Sequence, residues 1–274
     1  MVDSPASFLL ANEPWIRLGV FAAVLAAVAG AEAVWPRRRR QLPRAGRWPG
    51  NLGVVVVDTI LLRLAVPLAA VGMAAWAEAE GIGLLNRLAL PGWLAVLVAV
   101  AALDLAIWAQ HRLFHAIPPL WRLHRMHHAD RDLDVTTGIR FHPLEILLSM
   151  AIKLAVVLLL GAPAVAVLVF EVLLNATAMF SHANLRLSPR LDRGLRLFVV
   201  TPDMHRVHHS VHRDETDSNF GFNLPWWDRL FGTYRAQPRD GHLGMTIGIA
   251  GFHDPTEQRL DRMLTQPFRP PGSG

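Results

Sequence analysis

The chain contains no cysteine among its 274 residues, which excludes both a disulfide framework and a thiolate metal site. Any metal must be held by nitrogen or oxygen. Charged residues make up only 18% of the chain and tyrosine occurs once, while apolar residues make up 52% and the mean hydropathy is +0.29. That balance is too apolar for an ordinary soluble domain of this length and places several segments in lipid. Histidine is absent before His111, after which thirteen arrive mostly in clusters; the first third is therefore read as scaffold. No basic stretch marks Met1 to Asn12, so a cleaved signal peptide is not predicted.

Nine tryptophans are present, and Trp15, Trp35, Trp76 and Trp93 fall at or near the ends of apolar runs, where amphipathic rings favour the headgroup region. Ile16 to Trp35 is a predominantly apolar run of 20 residues and as a helix would reach roughly 30 Å, enough to cross the hydrocarbon core. A second span is predicted at Val54 to Trp76, interrupted by Arg63 and Pro67, and a third at Trp93 to Trp108. Leu144 to Leu160 and Ala164 to Phe180 are two further runs separated by Gly161-Ala162-Pro163, a stop-and-turn signal that makes them a full or re-entrant hairpin.

The net charge of +5 is concentrated in arginine, most densely at Arg37 to Arg40, Arg44 and Arg47. After an apolar span this reads as a positive-inside flank rather than a nucleic-acid patch. Counting crossings from a cytoplasmic arginine cluster puts 110–143, 181–210 and the C-terminal part on the cytoplasmic side. The expected fold is thus all-α: an integral-membrane helical bundle of four to five apolar helices, with a cytosolic helical cap carrying the histidine clusters. The divisions expected are an N-terminal transmembrane helix with a basic cytosolic loop (1–50), the main domain (51–270) and a disordered tail (271–274).

The histidine clusters are His111-x3-His115, His124-x2-His127-His128 and His205-x2-His208-His209. Positions i, i+3 and i+4 share one helix face, so each cluster aims imidazoles at a common point. Pro118 and Pro119 end the first helix and fold the second cluster back toward the first. Eight imidazoles exceed what one ion takes and suit two, and the ligand list admits iron, zinc and copper alike. For His242 and His253 an ordinary hydrogen-bonding role is expected.

The pattern H-x3-H, H-x2-H-H and a later H-x2-H-H resembles the fatty acid hydroxylase and sterol desaturase superfamily. The likeness extends through Asp104, the run Thr136-Thr137-Gly138-Ile139-Arg140-Phe141-His142-Pro143-Leu144-Glu145, Ser181-His182-Ala183-Asn184, and Asp217-Ser218-Asn219-Phe220-Gly221 leading to Trp227-Asp228-Arg229-Leu230-Phe231-Gly232-Thr233. It covers about residues 50 to 270. It departs at Trp108, where relatives often carry tyrosine.

The resemblance implies a non-haem di-iron centre, with zinc as a substitute on purification, that uses O2 to hydroxylate or desaturate a lipid such as a sterol, fatty acyl chain or related isoprenoid. It adds His182 to the ligands, and His142 and His212 as further ligands or supporting groups. Asp104, Arg140, Asn184, Asp217 and Asn219 become candidates for orienting ligand rings. No catalytic residue is expected beyond the metal ligands.

No haem or flavin motif is present, since Gly81-Ile82-Gly83 lacks the third glycine of a dinucleotide fingerprint; a separate ferredoxin or cytochrome with its reductase is the expected electron donor. Partners are then the bilayer and a lipid, without nucleic acid. The Ala- and Arg-rich composition suggests a bacterial inner membrane. The competing classes are a histidine-rich metal transporter, which would place ligands near the bilayer midplane on broken helices, and a non-catalytic zinc-bound relative.

Overall fold

The computed structural model describes residues 5–272 and contains helices joined by loops, with no strand among the described residues. In chain order the principal helices are α1 (Pro5–Ala11), α2 (Glu13–Val34), α3 (Arg44–Ala65), α4 (Ala69–Ala79), α5 (Gly92–Ala116), α6 (Pro118–His128), α7 (Pro143–Leu160), α8 (Ala164–Ser181), α9 (Pro189–Leu195) and α10 (Pro202–His208). Five units are long and apolar enough to cross a membrane: α2, α3 with α4, α5, α7 and α8. The second of these breaks between Ala65 and Ala69, where Pro67 withholds an N–H and Ala69 takes φ 49°. The expected all-helical membrane bundle is what forms. Trp15, Trp35, Trp76 and Trp93 all keep exposed rings at the ends of these spans.

The main hydrophobic core lies within the bundle, where Ala70, Ala74, Ala99, Leu103, Val167 and Phe170 pack together. Small residues let α4, α5 and α8 approach closely, as helices in lipid require. Gly161 adopts the left-handed conformation that closes α7 (φ 63°) and turns the chain directly into α8, as the glycine signal predicts.

Beyond the bundle, the apolar clusters are small, and buried charge takes over the work of fixing the loops. Arg47, fully buried, donates to Asp130 through Nε at 2.7 Å and NH2 at 2.6 Å and to Asp134 at 2.6 Å. Glu32, buried near the end of α2, accepts the backbone N–H groups of Val135 (2.8 Å) and Asn184 (2.9 Å) and the Arg44 guanidinium (2.9 Å). Arg37 bonds Asp203 at 3.1 Å, and Arg38 donates to the Met245 carbonyl at 2.7 Å. Only Arg39 and Arg40 of the basic cluster stay exposed. Most of the arginines that read as a topogenic flank are thus structural anchors. Within the C-terminal tail, the Gly272 N–H donates to the Gly251 carbonyl at 2.9 Å; residues 273–274, like 1–4, lie outside the described residues.

Replacing one partner of a buried, fully engaged ion pair strands the other charge, which typically costs about 3–5 kcal/mol. Arg47→Met is therefore expected to lower the unfolding midpoint in detergent strongly. Arg47→Lys, which keeps the charge but not the fork, should fall between. Burial opposes ionisation of Asp130, but Arg47 and Arg140 outweigh it and hold the carboxyl down at about 2. Its contribution, about 2 kcal/mol, is present above the ordinary carboxylate range and is lost as pH falls through about 2. A pH series of unfolding midpoints between 5 and 2 should show this loss in the wild type and not in Asp130→Asn.

Candidate metal centre

Four elements deliver histidines to one end of the bundle. His111 and His115 sit in the last turns of α5 and therefore belong to a spanning helix rather than to the cap. Ile117 is extended and Pro118–Pro119 open α6, so the chain reverses at once and lays His124, His127 and His128 over the first pair. His182 caps the C-terminus of α8. His205 and His208 lie on α10, whose N-cap Thr201 accepts from the Met204 N–H, and His209 follows at its end.

These nine rings form two adjoining groups. His111, His115, His124, His128 and His208 present ligand nitrogens within 4.8 Å of one another, and so do His127, His182, His205 and His209. All nine are buried. The groups share a wall: the His128 and His209 rings stack with centroids 4.5 Å apart, and His124 and His127 lie 5.2 Å apart.

The second nitrogen of most rings has a partner that fixes its proton. The Nδ1–H of His111 donates to the Phe220 carbonyl (2.7 Å), that of His127 to the Arg140 carbonyl (3.0 Å), that of His182 to the Ala178 carbonyl (2.7 Å) and that of His208 to the Ser218 carbonyl (2.7 Å). Two rings use carboxylates, His124 with Glu145 at 2.7 Å and His115 with Asp217 at 3.2 Å. A carbonyl accepts only from N–H, so Nε2 is left as a bare lone pair in each of the first four.

Those lone pairs point at one another. Nε2 of His111 lies 3.0 Å from Nε2 of His124, and Nε2 of His127 lies 3.0 Å from Nε2 of His182. With both protons already committed on the far side, no hydrogen bridges these nitrogens, and the spacing matches neighbouring ligands on a cation with bonds of roughly 2.1 Å. The Nε2 atoms of His115 and His208 and both ring nitrogens of His209 are buried without any partner. The donor set therefore fits metal ions, and an all-imidazole set suits iron as well as zinc.

The electrostatics agree. Burial, reinforced by neighbouring imidazoles, pushes His127, His128, His205 and His209 well below the usual imidazole value. Burial also brings His182 down to about 4 and His208 to about 3. Burial thus favours the neutral form of these six rings, the form that binds metal.

The supporting residues occupy varied places. Asn219 takes φ 51° and is pinned by its side chain to the Met204 and Arg235 carbonyls. Its turn points the flanking Ser218 and Phe220 carbonyls at His208 and His111. Asp228 holds the same loop, accepting from the Phe220 N–H (2.9 Å), the Gly221 N–H (2.8 Å), Thr233 Oγ1 (2.7 Å) and Trp108 Nε1 (3.0 Å). Trp108 is thus a donor on this brace.

Asp104 accepts from Trp227 Nε1 at 2.8 Å and touches no ligand ring. Arg140 lends its carbonyl to His127, while its guanidinium braces Asn51 and Gln258. Asn184 anchors the backbone of Arg38. His142 lies apart from both groups, capping α7 by accepting from the Leu144 N–H and donating to the Leu264 carbonyl. His212 pairs with Asp240 at 2.9 Å near the surface.

Glu145 and Asp228 are the supporting carboxylates that sequence reasoning passed over. Glu145 stands 21 positions after the ring it holds, a separation at which no motif spacing signals contact. Gly138 is a third, because a Cβ there would collide with the Ala178 backbone that receives the His182 proton.

Removing the Asp228 carboxylate should loosen the loop that aims two ligands. Asp228→Asn is expected to weaken metal retention about 10- to 100-fold, as losses of such outer partners do. Metal content after dialysis against a graded chelator series measures it, and retention equal to the wild type would contradict the bracing role.

Comparison with known proteins agrees with this architecture. The chain is 33% identical over 175 residues to an ornithine lipid hydroxylase of Rhizobium tropici, covering 63% of this chain and 50% of the relative. It is 29% identical over 154 residues to the human alkylglycerol monooxygenase (56% and 34%). It is 30% identical over 165 residues to a very-long-chain aldehyde decarbonylase of Oryza sativa subsp. indica (57% and 26%). The chain thus spans half or less of the length of these relatives. No solved structure matches it. The sequence model for fatty acid hydroxylase matches residues 96–233, the segment that supplies all nine converging histidines, and the chain belongs to the fatty acid hydroxylase family.

Proposed function

We propose that the protein is a multi-pass membrane oxidoreductase that binds two iron ions and uses O2 to hydroxylate a C–H bond of a lipid. The observation that carries this reading is the convergence of nine buried imidazoles in two adjoining groups, one of which opens onto a cavity within the bundle. That cavity, about 290 Å³, is bounded by His111 and His124 at one end and by apolar side chains such as Phe21, Val55, Leu62 and Leu174. A neighbouring cavity of about 560 Å³ continues between α2, α3 and α8 and shares Phe21, Val55, Leu62 and Glu171 with the first. Together they suit an alkyl chain entering from the bilayer.

Iron bound by the two groups would supply O2 activation and the oxidising equivalents. The chain's own part is to hold the site still and dry. The carbonyls of Phe220, Arg140, Ala178 and Ser218 keep the ring protons on Nδ1 and so keep the opposite nitrogens available. Phe141 stacks on His127 at 4.5 Å and Phe222 packs on His111 at 5.0 Å, walling the ligands from water.

The names of the hydroxylase and monooxygenase relatives favour hydroxylation over desaturation. The two electrons would come from a separate ferredoxin or cytochrome, for which the exposed Arg39 and Arg40 offer a basic docking face near the histidine end. The same exposed arginines support a cytoplasmic placement of the site, in an inner membrane if the source is bacterial.

Purified chain reconstituted under reducing conditions is expected to hold about two irons, and His182→Ala, which removes a ligand of one group only, to hold about one. Cells expressing the wild type and supplied with labelled O2 should contain a lipid heavier by one labelled oxygen, absent from cells expressing His127→Ala or His208→Ala. Transport of metal into vesicles with no lipid product would overturn the assignment.

A further inference from the structure

The cavity that reaches His111 and His124 carries three hydrogen-bond acceptors with nothing to accept. Asp58, on α3, is 7% exposed, lines the cavity and has its Oδ1 buried without a partner. Gln110, on α5, spends its amide Nε2 on Ser149 Oγ at 2.7 Å, which leaves Oε1 bare. Glu145, on α7, uses Oε1 to take the His124 proton, while Oε2 has no partner. Three helices thus bring unpaired acceptors to one apolar chamber beside the first histidine group. Burying such groups unsatisfied is unfavourable, and their orientation has to be explained by what they meet.

The cations that line the chamber are already paired. Lys153 donates to Glu171 at 2.5 Å, and Arg17 donates to Glu171 and to Glu13 at 2.8 Å each. An anionic head would therefore meet two carboxyl groups and no unpaired cation among the described residues of the lining. The complement of the chamber is a group rich in donors: a hydroxyl or an ammonium.

We propose that Asp58, Gln110 and Glu145 form a socket for a hydroxyl or amine at the polar end of the lipid. The lipid then lies with this end toward His111 and His124 and its alkyl chain in the apolar passage between α2, α3 and α8. The carbon presented to the metal centre stands within a few bonds of the polar group, not far along the tail. This assignment rests on reading the cavity as the lipid site. It makes Asp58 a determinant of specificity, since a site built to bond a hydroxyl or amine rejects an analogue lacking the proton.

The test compares three probes of equal chain length, hexadecan-1-ol, hexadecylamine and 1-methoxyhexadecane. Each is bound to the full chain as purified, under argon without reductant, and read by native mass spectrometry. The wild type is expected to bind the alcohol and the amine about tenfold more tightly than the methyl ether. Asp58→Leu should bring all three within about twofold, leaving the ether's affinity unchanged. Asp58→Asn, which keeps an acceptor oxygen but has no proton to lose to an amine, should keep the preference for the alcohol and lose that for the amine.

Equal binding of the three probes by the wild type, or an undiminished preference in Asp58→Leu, overturns the socket. Should Asp58→Leu fail to fold, Gln110→Leu must cut the alcohol's advantage several-fold, and an undiminished advantage there overturns it equally. Because no turnover is involved, discrimination among the probes by a chain that never oxidises a lipid would refute the oxidoreductase reading and leave the socket standing. Oxidation of a lipid without discrimination would do the reverse.

Discussion

The constraint on which the structure turns is that imidazole nitrogens are buried face to face. Nitrogens 3.0 Å apart with their protons on the opposite side of each ring repel unless a cation lies among them. Holding that arrangement requires most of the rings to be clamped from behind, and six of the nine are. The clamps are chiefly main-chain carbonyls, contributed by loops that are otherwise far apart in sequence, and the remaining scaffold exists to keep those carbonyls in place. Asn219 and Asp228 serve two of them, and the close approach of Gly138 to α8 serves a third.

This explains the unusual distribution of buried charge. The membrane bundle has a continuous apolar core, but the loops bearing the carbonyls have little apolar surface to bury, so directional bonds set their positions instead. Arg47 with Asp130 and Asp134, and Glu32 with two backbone N–H groups, each tie a helix of the bundle to a loop around the histidine groups. Buried ion pairs of this kind add little to net stability compared with apolar packing but punish any alternative arrangement severely. For a ligand cage whose members must meet within tenths of an ångström, such intolerance of alternatives is the useful property.

The site also has two unlike sides. One histidine group opens, through His111 and His124, onto the chamber within the bundle; the other is enclosed by α8, α10 and the ring of Phe141. A pair of ions held there would therefore differ in access even though their ligands are chemically alike. On the proposed reading, substrate contact is left to the helices, with Asp58, Gln110 and Glu145 lining the chamber from three of them.

The sequence alone determined the solvent in which the chain folds, because runs of about twenty apolar residues have no other place to go, and it singled out the histidines that converge. Histidines spaced three and four apart must share a helix face, and Pro118–Pro119 must reverse the chain between two such faces. It could not determine which of several similar groups was buried. Arg47 and Arg39 read identically in a basic cluster, yet one is sealed against two aspartates and the other stays exposed, a difference set by the loop that folds over α3. Likewise His142, placed among the candidates by its motif, is turned by the start of α7 to cap that helix, while Glu145, three residues on, is brought to His124. The partners of the ligand rings were beyond sequence for a simpler reason: most are backbone carbonyls, which every residue possesses, and only the tertiary path of the chain decides which of them lies behind a given imidazole.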